Sequence, residues 1–460
     1  MEDNETRKTE SQAVDIEVLR RWIANCDPTK PIDPAGELYF NLDQIEIDGE
    51  IVSLRGDDHL RALADAVQLS EGGSSCQLFS GFSGTGKSTE LRRLAYKLEA
   101  AGFSVLVADA EDYHSLSRPL TVEDLMVVTA GAFGEATAAR LGRDVAEESY
   151  WKRLIDFLRQ DVEIREVKLP AGLADLKIGI KYANPFWIEV RDAIARSHGK
   201  LRDHSHSFIR RCVASLSKAE PHSRGTVFIL DSLERLSPPM MSQFEEVMNS
   251  VLRVLSEYPS FLRIPDCHAI YTVPPYVRLV SLRVAQHYDG VTHVLPAIKV
   301  VERGPAPKRY RPGVDALITL LDRRIPLDEI FGDRRDLLEQ LIVYSGGHVR
   351  TFLSFVRDLL KHSLHSGLPP SEKAIEEVVQ YYREPARLAV FREYVPVLHK
   401  VLENGTLEGM TREERAMVGA LMDENLVLCY RNGEGWFEVH PLVRDLVQEL
   451  AAEIEADESP

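Results

Sequence analysis

The chain has 460 residues, enough for two or three domains, and its 44% hydrophobic and 28% charged residues are typical of a globular protein. Its net charge of −17 disfavours non-specific nucleic-acid binding, because such binding relies on lysine and arginine to neutralise phosphates. Five scattered cysteines without a Cys-x-x-Cys pair indicate neither a disulfide framework nor a zinc site.

Residues 1–50 are predicted to form an N-terminal extension. Their first residues are charged and contain no signal-peptide core, and no apolar run in the chain reaches the roughly 18 residues of a membrane span. We therefore expect a cytoplasmic protein that does not associate with membranes. A short helix is expected over residues 14–25, and Asp57 or Asp58 is expected to cap a helix that continues to about Leu69.

The segment from Gly81 to Ser88 reads Gly-Phe-Ser-Gly-Thr-Gly-Lys-Ser and fits the P-loop pattern G-x-x-x-x-G-K-[ST]. A short apolar strand over residues 76–80 precedes it, and an amphipathic helix over residues 89–101 follows it. In that context the glycines would let backbone N–H groups surround phosphates, and the helix N-terminus would add its positive end. The alternative is an ordinary Gly/Ser turn between a strand and a helix.

The P-loop interpretation assigns a role to each polar residue of the loop. Lys87 is expected to reach the β- and γ-phosphates of a nucleoside triphosphate, and the Ser88 hydroxyl to bind Mg²⁺. No asparagine precedes a lysine in the chain, so the guanine-specific N-K-x-D motif is absent and ATP is favoured over GTP. The predicted nucleotide-binding residues of this segment are Gly81, Ser83, Gly84, Thr85, Gly86, Lys87, Ser88 and Thr89.

Further short apolar runs alternate with helical stretches, which favours a parallel sheet covered by helices on both faces. The predicted fold class is therefore α/β, a P-loop NTPase core over residues 51–304. Within it, alternating apolar residues over 176–182 and an opposing run at 164–169 predict an inserted β-hairpin at about residues 160–185. The other predicted strands of the sheet are 104–109, 226–231, 267–273 and 291–295.

A second nucleotide motif ends the predicted strand at residues 226–231. Four apolar residues closed by Asp231 form a Walker B pattern, in which the aspartate orders Mg²⁺ through water. The position after it, where a carboxylate usually orients the attacking water, is Ser232, and the next acid is Glu234. Two interpretations of Glu234 stay open: a water-orienting carboxylate, or a solvated or salt-bridged residue at a helix start. The departure predicts slow turnover.

The C-terminal third is predicted to be mainly helical. Residues 305–368 are expected to form a helical lid. Beyond Pro369-Pro370, helices lead to two β-rich runs separated by Asn432-Gly433, a hairpin signal. Helices followed by a hairpin predict a winged-helix-like domain over residues 369–455, with an acidic tail over 456–460.

This series of motifs resembles the AAA-related P-loop ATPases of bacterial type, near the origin-recognition and signal-transducing STAND branches, over most of residues 50–455. The resemblance rests on the P-loop, on Asp231 to Glu234, and on Ser345-Gly346-Gly347-His348-Val349-Arg350. It implies that Thr272 is a sensor-1 group near the γ-phosphate, and that Arg350 is a sensor-2 arginine reaching from the lid. The alternatives are a strand-end threonine and a surface arginine.

Three further assignments follow only from the resemblance. Arg55 lies in the segment that often borders adenine. His440 stands where some STAND proteins bring a histidine to the nucleotide, although a His-Pro that opens the final helix is the preferred interpretation. The candidates for an arginine finger are Arg210, Arg211, Arg323 and Arg324.

The predicted function is that of an ATP- and Mg²⁺-dependent molecular switch that hydrolyses ATP and acts on a partner protein or by self-assembly. Glu234, Lys87, Thr272 and Arg350 are its predicted catalytic residues, and the resemblance implies a role such as antiphage defence. The alternative is a DNA-binding ATPase that uses the winged helix, which the net charge disfavours. The densest basic stretch of the chain, where such an ATPase would contact DNA, comprises Arg303, Lys308, Arg309, Arg311, Arg323 and Arg324.

Overall fold

The computed structural model describes residues 15–43, 45–47, 49–56, 58–70, 72–142, 149–160, 173–236, 243–290, 292–304, 308–432 and 434–458. The N-terminal part consists of helix α1 (Ile16–Asn25), an antiparallel pair of strands, β1 (Ile45–Ile47) and β2 (Glu50–Val52), and helix α2 (His59–Gln68). Asp58 caps α2, since its carboxylate accepts a hydrogen bond from Arg61 N at 2.8 Å. Asp57, the other predicted cap, lies outside the described residues.

The centre of the protein is a five-stranded parallel sheet, as the sequence predicted. Its strand order is β4-β5-β6-β3-β7, so β3, the strand that leads into the P-loop, lies between β6 and β7. The strands are short apolar runs because both faces of a parallel sheet are covered. Their bounds are β3 Ser75–Gly81, β4 Ser104–Asp109, β5 Thr226–Asp231, β6 Cys267–Val273 and β7 His293–Leu295.

Side chains alternate between the two faces of this sheet and feed two separate cores. Phe79 and Ile229 face a core that includes residues of α2 and of the helix after the P-loop. Leu78 and Phe228 face the larger core on the other side. The helices around the sheet are α3 Lys87–Ala100, α4 Val122–Leu141, α5 Tyr150–Gln160, α6 Leu173–Tyr182, α7 Pro185–Ile194, α8 His198–Ala219, α9 Phe244–Glu257, α10 Pro259–Leu262, α11 Tyr276–Val280 and α12 Leu282–Ala285.

The predicted hairpin at about residues 160–185 is wrong in its second strand, because residues 173–182 form helix α6. Leu176 and Ile180, one helical turn apart, are fully buried, whereas Ile178 and Tyr182 are 57% and 64% exposed. An apolar residue at every second position therefore also satisfied a helix that buries only positions i and i+4. The opposing run at 164–169 lies outside the described residues.

The helices after the sheet domain form one layer: α13 Arg311–Asp322, α14 Leu327–Phe331, α15 Arg335–Tyr344, α16 Val349–Ser366 and α17 Glu372–Leu388. We refer to this layer as the lid, although its role over a nucleotide and its domain bounds stay predictions. Helix α17 packs against α15 and α16, so the packing continues past residue 368. Ser371 caps α17, and Ile375 and Val379 bury its inner face. Helix α1 also packs on α16 and joins the N-terminal extension to this layer.

The last part of the chain contains the helices and the hairpin in the predicted order. Strand β8 pairs antiparallel with β9, which confirms the hairpin around residues 432–433. This unit shares one apolar core with the lid, and its helix α19 packs on α11 of the sheet domain. Its elements are α18 Val395–Asn404, α19 Arg412–Asp423, β8 Val427–Asn432, β9 Glu434–Val439 and α20 Arg444–Glu458. None of the described helices is long and apolar enough to cross a bilayer.

Candidate nucleotide-binding site

The P-loop joins the C-terminal end of β3 to the N-terminus of α3 and is held close to the lid. Gly84 and Gly86 have φ angles of +86° and +94°, which favour glycine. A Cβ atom on Gly84 would lie 2.6 Å from Arg350 Cβ and 2.7 Å from the His348 ring. The glycine pattern therefore serves the approach of the lid as well as the turn of the loop.

Lys87 is buried at the start of α3 and points back toward the loop. Its Nζ lies 2.6 Å from Phe82 O and 3.2 Å from Glu234 Oε1. Phe82 O also accepts a hydrogen bond from Thr85 Oγ1 at 2.9 Å. The ammonium charge is thus balanced by one buried carboxylate and held within the curve of the loop.

Asp231 and Ser88 form the pair of oxygen donors that Mg²⁺ would require. The Asp231 carboxylate accepts a hydrogen bond from Ser232 N at 2.8 Å, and the nearby Ser88 hydroxyl favours its ionised form. Burial, and then the negative charge of Glu234, raise the pKa of Asp231. The described residues contain no cluster of three or more His, Cys, Asp or Glu side chains around a metal position. The pair suits Mg²⁺ held partly by substrate phosphates, its usual arrangement with few protein ligands.

Glu234 supplies the second carboxylate of the site, because the position directly after Asp231 is occupied by Ser232. Ser232 adopts a φ of +71°, a left-handed conformation that costs a side-chain-bearing residue about 1–3 kcal/mol. The turn that follows directs Glu234 toward Lys87, with Oε2 buried and without a hydrogen-bond partner among the described residues. Glu234 is therefore a buried, ion-paired residue of the cleft and not a solvated one.

Thr272 supports this carboxylate from the neighbouring strand. It is fully buried near the end of β6, paired in register with Phe79 of β3. Its hydroxyl lies 3.4 Å from Leu230 O, and its proximity to Glu234 favours the ionised form of that carboxyl. Burial opposes ionisation of Glu234, but Lys87 and then Thr272 outweigh it and lower the pKa of that carboxyl.

Two lid residues at the start of α16 contact the P-loop backbone and hydroxyl. Arg350 N donates to Gly84 O at 3.1 Å, and its Nη1 donates to Ser83 Oγ at 2.9 Å. His348 Nε2 lies 2.5 Å from Ser83 O, an acceptor, so this nitrogen carries the proton. Burial lowers the pKa of His348 to about 4, which keeps the ring neutral.

His348 was not identified from the sequence as a site residue. The sequence signal that could have identified His348 was its position between Gly346-Gly347 and Arg350. In the structure both glycines have a positive φ, and neither leaves room for a Cβ atom. Gly347 approaches Ile298 O, and Gly346 O accepts a hydrogen bond from Tyr430 Oη of β8 at 2.6 Å. This turn therefore links the P-loop contacts to the C-terminal hairpin.

Arg55 lies behind the P-loop and does not line the cleft that the P-loop faces. Its Nη2 donates to Thr85 O at 2.7 Å, and its Nη1 lies 3.2 Å from Glu90 Oε1. Both side chains are buried, so the pair braces the loop against α3. The place beside an adenine ring that the resemblance implies for this segment stays a prediction.

Residues 27–32 form a wall of the cleft that the sequence did not reveal. Ile32 N donates to Thr89 Oγ1 at 3.3 Å, which ties this segment to α3. The enclosed volume is about 90 Å³, well below the roughly 300–1,000 Å³ of typical ligand sites. A nucleoside triphosphate would fit only if this segment and the lid moved apart.

The other implied residues occupy different places. Of the arginine-finger candidates, Arg324 lines the cleft, while Arg323 donates to Tyr39 O at 2.7 Å. Arg210 and Arg211 both lie on α8 and do not line the cleft. The Nε of Arg210 is 4.0 Å from the Asp266 carboxylate. His440 is buried, and its Nδ1 accepts a hydrogen bond from Leu442 N at 3.2 Å in the turn that precedes the final helix, which begins at Arg444.

The densest basic stretch of the chain makes several contacts within the protein. Arg309 and Arg311 both bind Glu339, at 2.6 and 2.8 Å. Arg303 donates to Asn404 O at 2.8 Å. The Glu339 carboxylate therefore offsets part of the positive charge that a phosphate backbone would need.

Comparison with known proteins agrees with the geometry of the site. Residues 57–255 match the family model described as an AAA ATPase domain, and this range includes the P-loop, Asp231 and Glu234. No curated protein sequence matches the chain.

Several solved structures resemble the whole chain, all at low identity. An ORC2 protein of Aeropyrum pernix with ADPNP and ADP shows 15% identity and a TM-score of 0.39, covering 92% of this chain and 98% of that one. A Walker-type ATPase of Pyrococcus abyssi shows 11% identity and a TM-score of 0.39, with coverage of 90% and 100%. Cdc6p from Pyrobaculum aerophilum shows 10% identity and a TM-score of 0.36, with coverage of 92% and 99%.

TM-scores of this size establish neither a shared function nor a shared assembly. The sheet and the P-loop are those of an α/β P-loop NTPase. Within that fold, residues 57–255 are similar in sequence to AAA ATPase domains.

Proposed function

We propose that the protein is a slow ATPase that works as a nucleotide-dependent switch. The observation that carries the proposal is the buried cluster at the end of β5, where Lys87, Glu234, Asp231 and Ser88 meet beside the P-loop. Binding and hydrolysis of ATP with Mg²⁺ require such groups: an ammonium group for the phosphates, a hydroxyl and a carboxylate for Mg²⁺, and a second carboxylate for the attacking water.

The binding roles follow from the placement of each group. Lys87 and the P-loop N–H groups would hold phosphate oxygens, and Ser88 with Asp231 would hold Mg²⁺. Bound Mg²⁺ would neutralise part of the negative charge of the phosphates. The Gln77 to Gly81 end of β3 is buried and fixes the loop, so the site is rigid on its sheet side.

Glu234 is the proposed water-orienting carboxylate, and Thr272 is the residue that positions it. In the arrangement described here Glu234 is bound to Lys87, so this ion pair must open before either group can act on phosphate or water. Separating a buried pair is costly when one charge is left uncompensated. This supports slow turnover.

The switch element that we propose is the turn before α16. His348 and Arg350 contact Ser83 and Gly84, and Gly346 contacts β8 through Tyr430. A change at the P-loop would therefore move the lid and the C-terminal unit together. Helices followed by a hairpin support the winged-helix interpretation of that unit.

The output of the switch is proposed to be a protein partner or self-assembly. The resemblance to STAND proteins suggests antiphage defence, an argument by analogy alone. DNA binding is not proposed, because the net charge is −17 and part of the basic stretch is paired internally.

The proposal is tested by ATP hydrolysis and by size-exclusion chromatography with and without ATP. Wild type should hydrolyse ATP slowly and change its elution with nucleotide, and Lys87→Ala should do neither. Lys97→Ala, an exposed lysine on the same helix, is the matched control and should behave as wild type. Equal behaviour of wild type and Lys87→Ala would refute the proposal.

A further inference from the structure

A second and much larger cavity, which we call the rear cavity, adjoins the P-loop at Phe82 and shares no described lining residue with the cleft. Its volume is about 600 Å³, against about 90 Å³ for the cleft. Its walls come from the P-loop, the α11 region, β7, the turn after α18, α19 and the C-terminal hairpin. It therefore lies where the sheet domain meets the C-terminal unit, a common location for ligand sites.

One part of the wall is apolar. Phe82 of the P-loop, Leu279, Leu407 and Phe437 are among the residues that form it. The turn that carries Leu407 is fixed to the hairpin, since Phe437 N donates to Gly405 O at 2.9 Å. An apolar or aromatic body of a ligand would be buried against this part of the wall.

The other part of the wall is basic. Arg278, Arg415 and Arg431 line the cavity together with a single carboxylate, Glu408. Burial raises the pKa of the Cys429 thiol to about 12, and the charges of Arg278 and Arg431 act in the opposite direction. Both guanidinium groups are therefore near the same sulfur, at the hairpin side of the cavity.

Arg415 adds a third guanidinium group to this wall. Its Nε is buried and has no hydrogen-bond partner among the described residues, a feature that it shares with five other arginines of the described chain. The case for an anion therefore rests on three arginines that line one cavity with one carboxylate among its described lining residues. The planar guanidinium group matches the oxygens of phosphate and carboxylate.

We propose that this cavity binds a small organic anion, with a phosphate or carboxylate group at the arginines and an apolar or aromatic body against Phe82 and Phe437. The occupant is sensed by the P-loop, because Phe82 lines the cavity and its carbonyl accepts a hydrogen bond from Lys87 Nζ. The binding stands by itself, whereas the coupling to nucleotide rests on the proposed ATP binding.

Calorimetric titration of the full chain with three probes tests the binding. Phenyl phosphate and benzoate carry the aromatic body with either acidic group, and inorganic phosphate lacks the body. At least one aromatic probe should bind saturably and more tightly than inorganic phosphate. Failure of both to bind, or tighter binding of inorganic phosphate, overturns the proposal.

Variants locate the bound probe. Arg415→Gln should weaken binding about tenfold, the loss expected for one charge-assisted hydrogen bond, while Arg412→Gln, exposed on the same helix, should bind as wild type. Leu279→Trp should abolish binding by filling the apolar side, with folding checked by its melting temperature. Full binding in both Arg415→Gln and Leu279→Trp places the probe elsewhere and contradicts the proposal.

The coupling is measured as ATP affinity with and without saturating probe. A change in wild type that disappears in Arg415→Gln supports it, and an unchanged affinity refutes it. If wild type does not bind ATP, the proposed function and the coupling fail together. Binding in the cavity is then still decided by the titrations and their variants.

Discussion

The two cavities beside the P-loop differ in size and polarity. The cleft in front encloses about 90 Å³, and there Lys87 pairs with Glu234 and Arg350 donates to Ser83. The rear cavity has about 600 Å³, with an apolar wall at Phe437 and a basic wall at Arg415. The front therefore has the chemistry for a phosphate but not the space, whereas the rear has space for a larger ligand.

This difference suggests how one loop can serve two ligands. Ligand binding in front must displace existing pairs and walls, so it must be accompanied by movement of the lid or of residues 27–32. Binding behind requires no such displacement. The chemistry of the cleft can be separated from the packing of the lid against the P-loop by single substitutions.

The largest effect is expected for Glu234→Gln. Loss of a water-orienting carboxylate should slow ATP hydrolysis by about 10²–10⁴-fold, while ATP binding is retained because Lys87 loses its buried competitor. Glu246→Gln, exposed on α9, is the control and should match wild type. Turnover by Glu234→Gln at the wild-type rate would assign this carboxylate a purely structural role.

The second prediction concerns pH. Burial lowers the pKa of His348 to about 4 from 6.5, so between these values the unfolded chain binds a proton that the folded protein does not. Stability should fall as the pH falls through this window, by about 3 kcal/mol at most from this residue. Melting temperatures between pH 7 and pH 4 should decline less in His348→Asn than in wild type. His365→Asn, exposed on the same helix, should decline like wild type.

The third prediction tests the contact between the lid and Gly84. Gly84→Ala introduces a Cβ atom 2.6 Å from Arg350 Cβ, in addition to strain from a positive φ. It should lower the free energy of unfolding by about 1–3 kcal/mol. Gly73→Ala carries only the strain, since no atom lies within 4 Å of its Cβ position. Denaturant titrations that show equal losses would mean that the lid does not press on this glycine.

The smallest effect is expected for Arg350→Gln. Its guanidinium group now donates to Ser83 Oγ, and a phosphate would be a stronger partner. ATP affinity should decrease about tenfold, with little change in the melting temperature without nucleotide. Lys361→Gln, exposed on the same helix, should keep wild-type affinity. A loss of stability without a loss of affinity would leave Arg350 only a packing role.

Local patterns predicted most of the sheet and the front of the P-loop. Each strand of the sheet is a contiguous apolar run, and the residues from Gly81 to Ser88 are consecutive, so their signals survive without tertiary information. The helix over 173–182 was read as a strand because alternate apolar positions include the pair one helical turn apart, Leu176 and Ile180. Period-two and helical patterns overlap in short segments.

The parts that sequence reasoning missed are contacts between distant segments. His348 and Arg350 meet Ser83 across more than 260 residues, and Ile32 meets Thr89 across 57. The rear cavity is assembled from six separate stretches of chain, so no local pattern marks it. Such sites become visible only once the packing of the domains is known.

The central claim is that the lid responds to what the P-loop holds. Hydrogen–deuterium exchange of residues 346–353, with and without ATP and Mg²⁺, tests it most directly. The account predicts that nucleotide changes exchange at these residues in wild type and not in Lys87→Ala. ATP that binds to wild type and leaves this segment unchanged would contradict it.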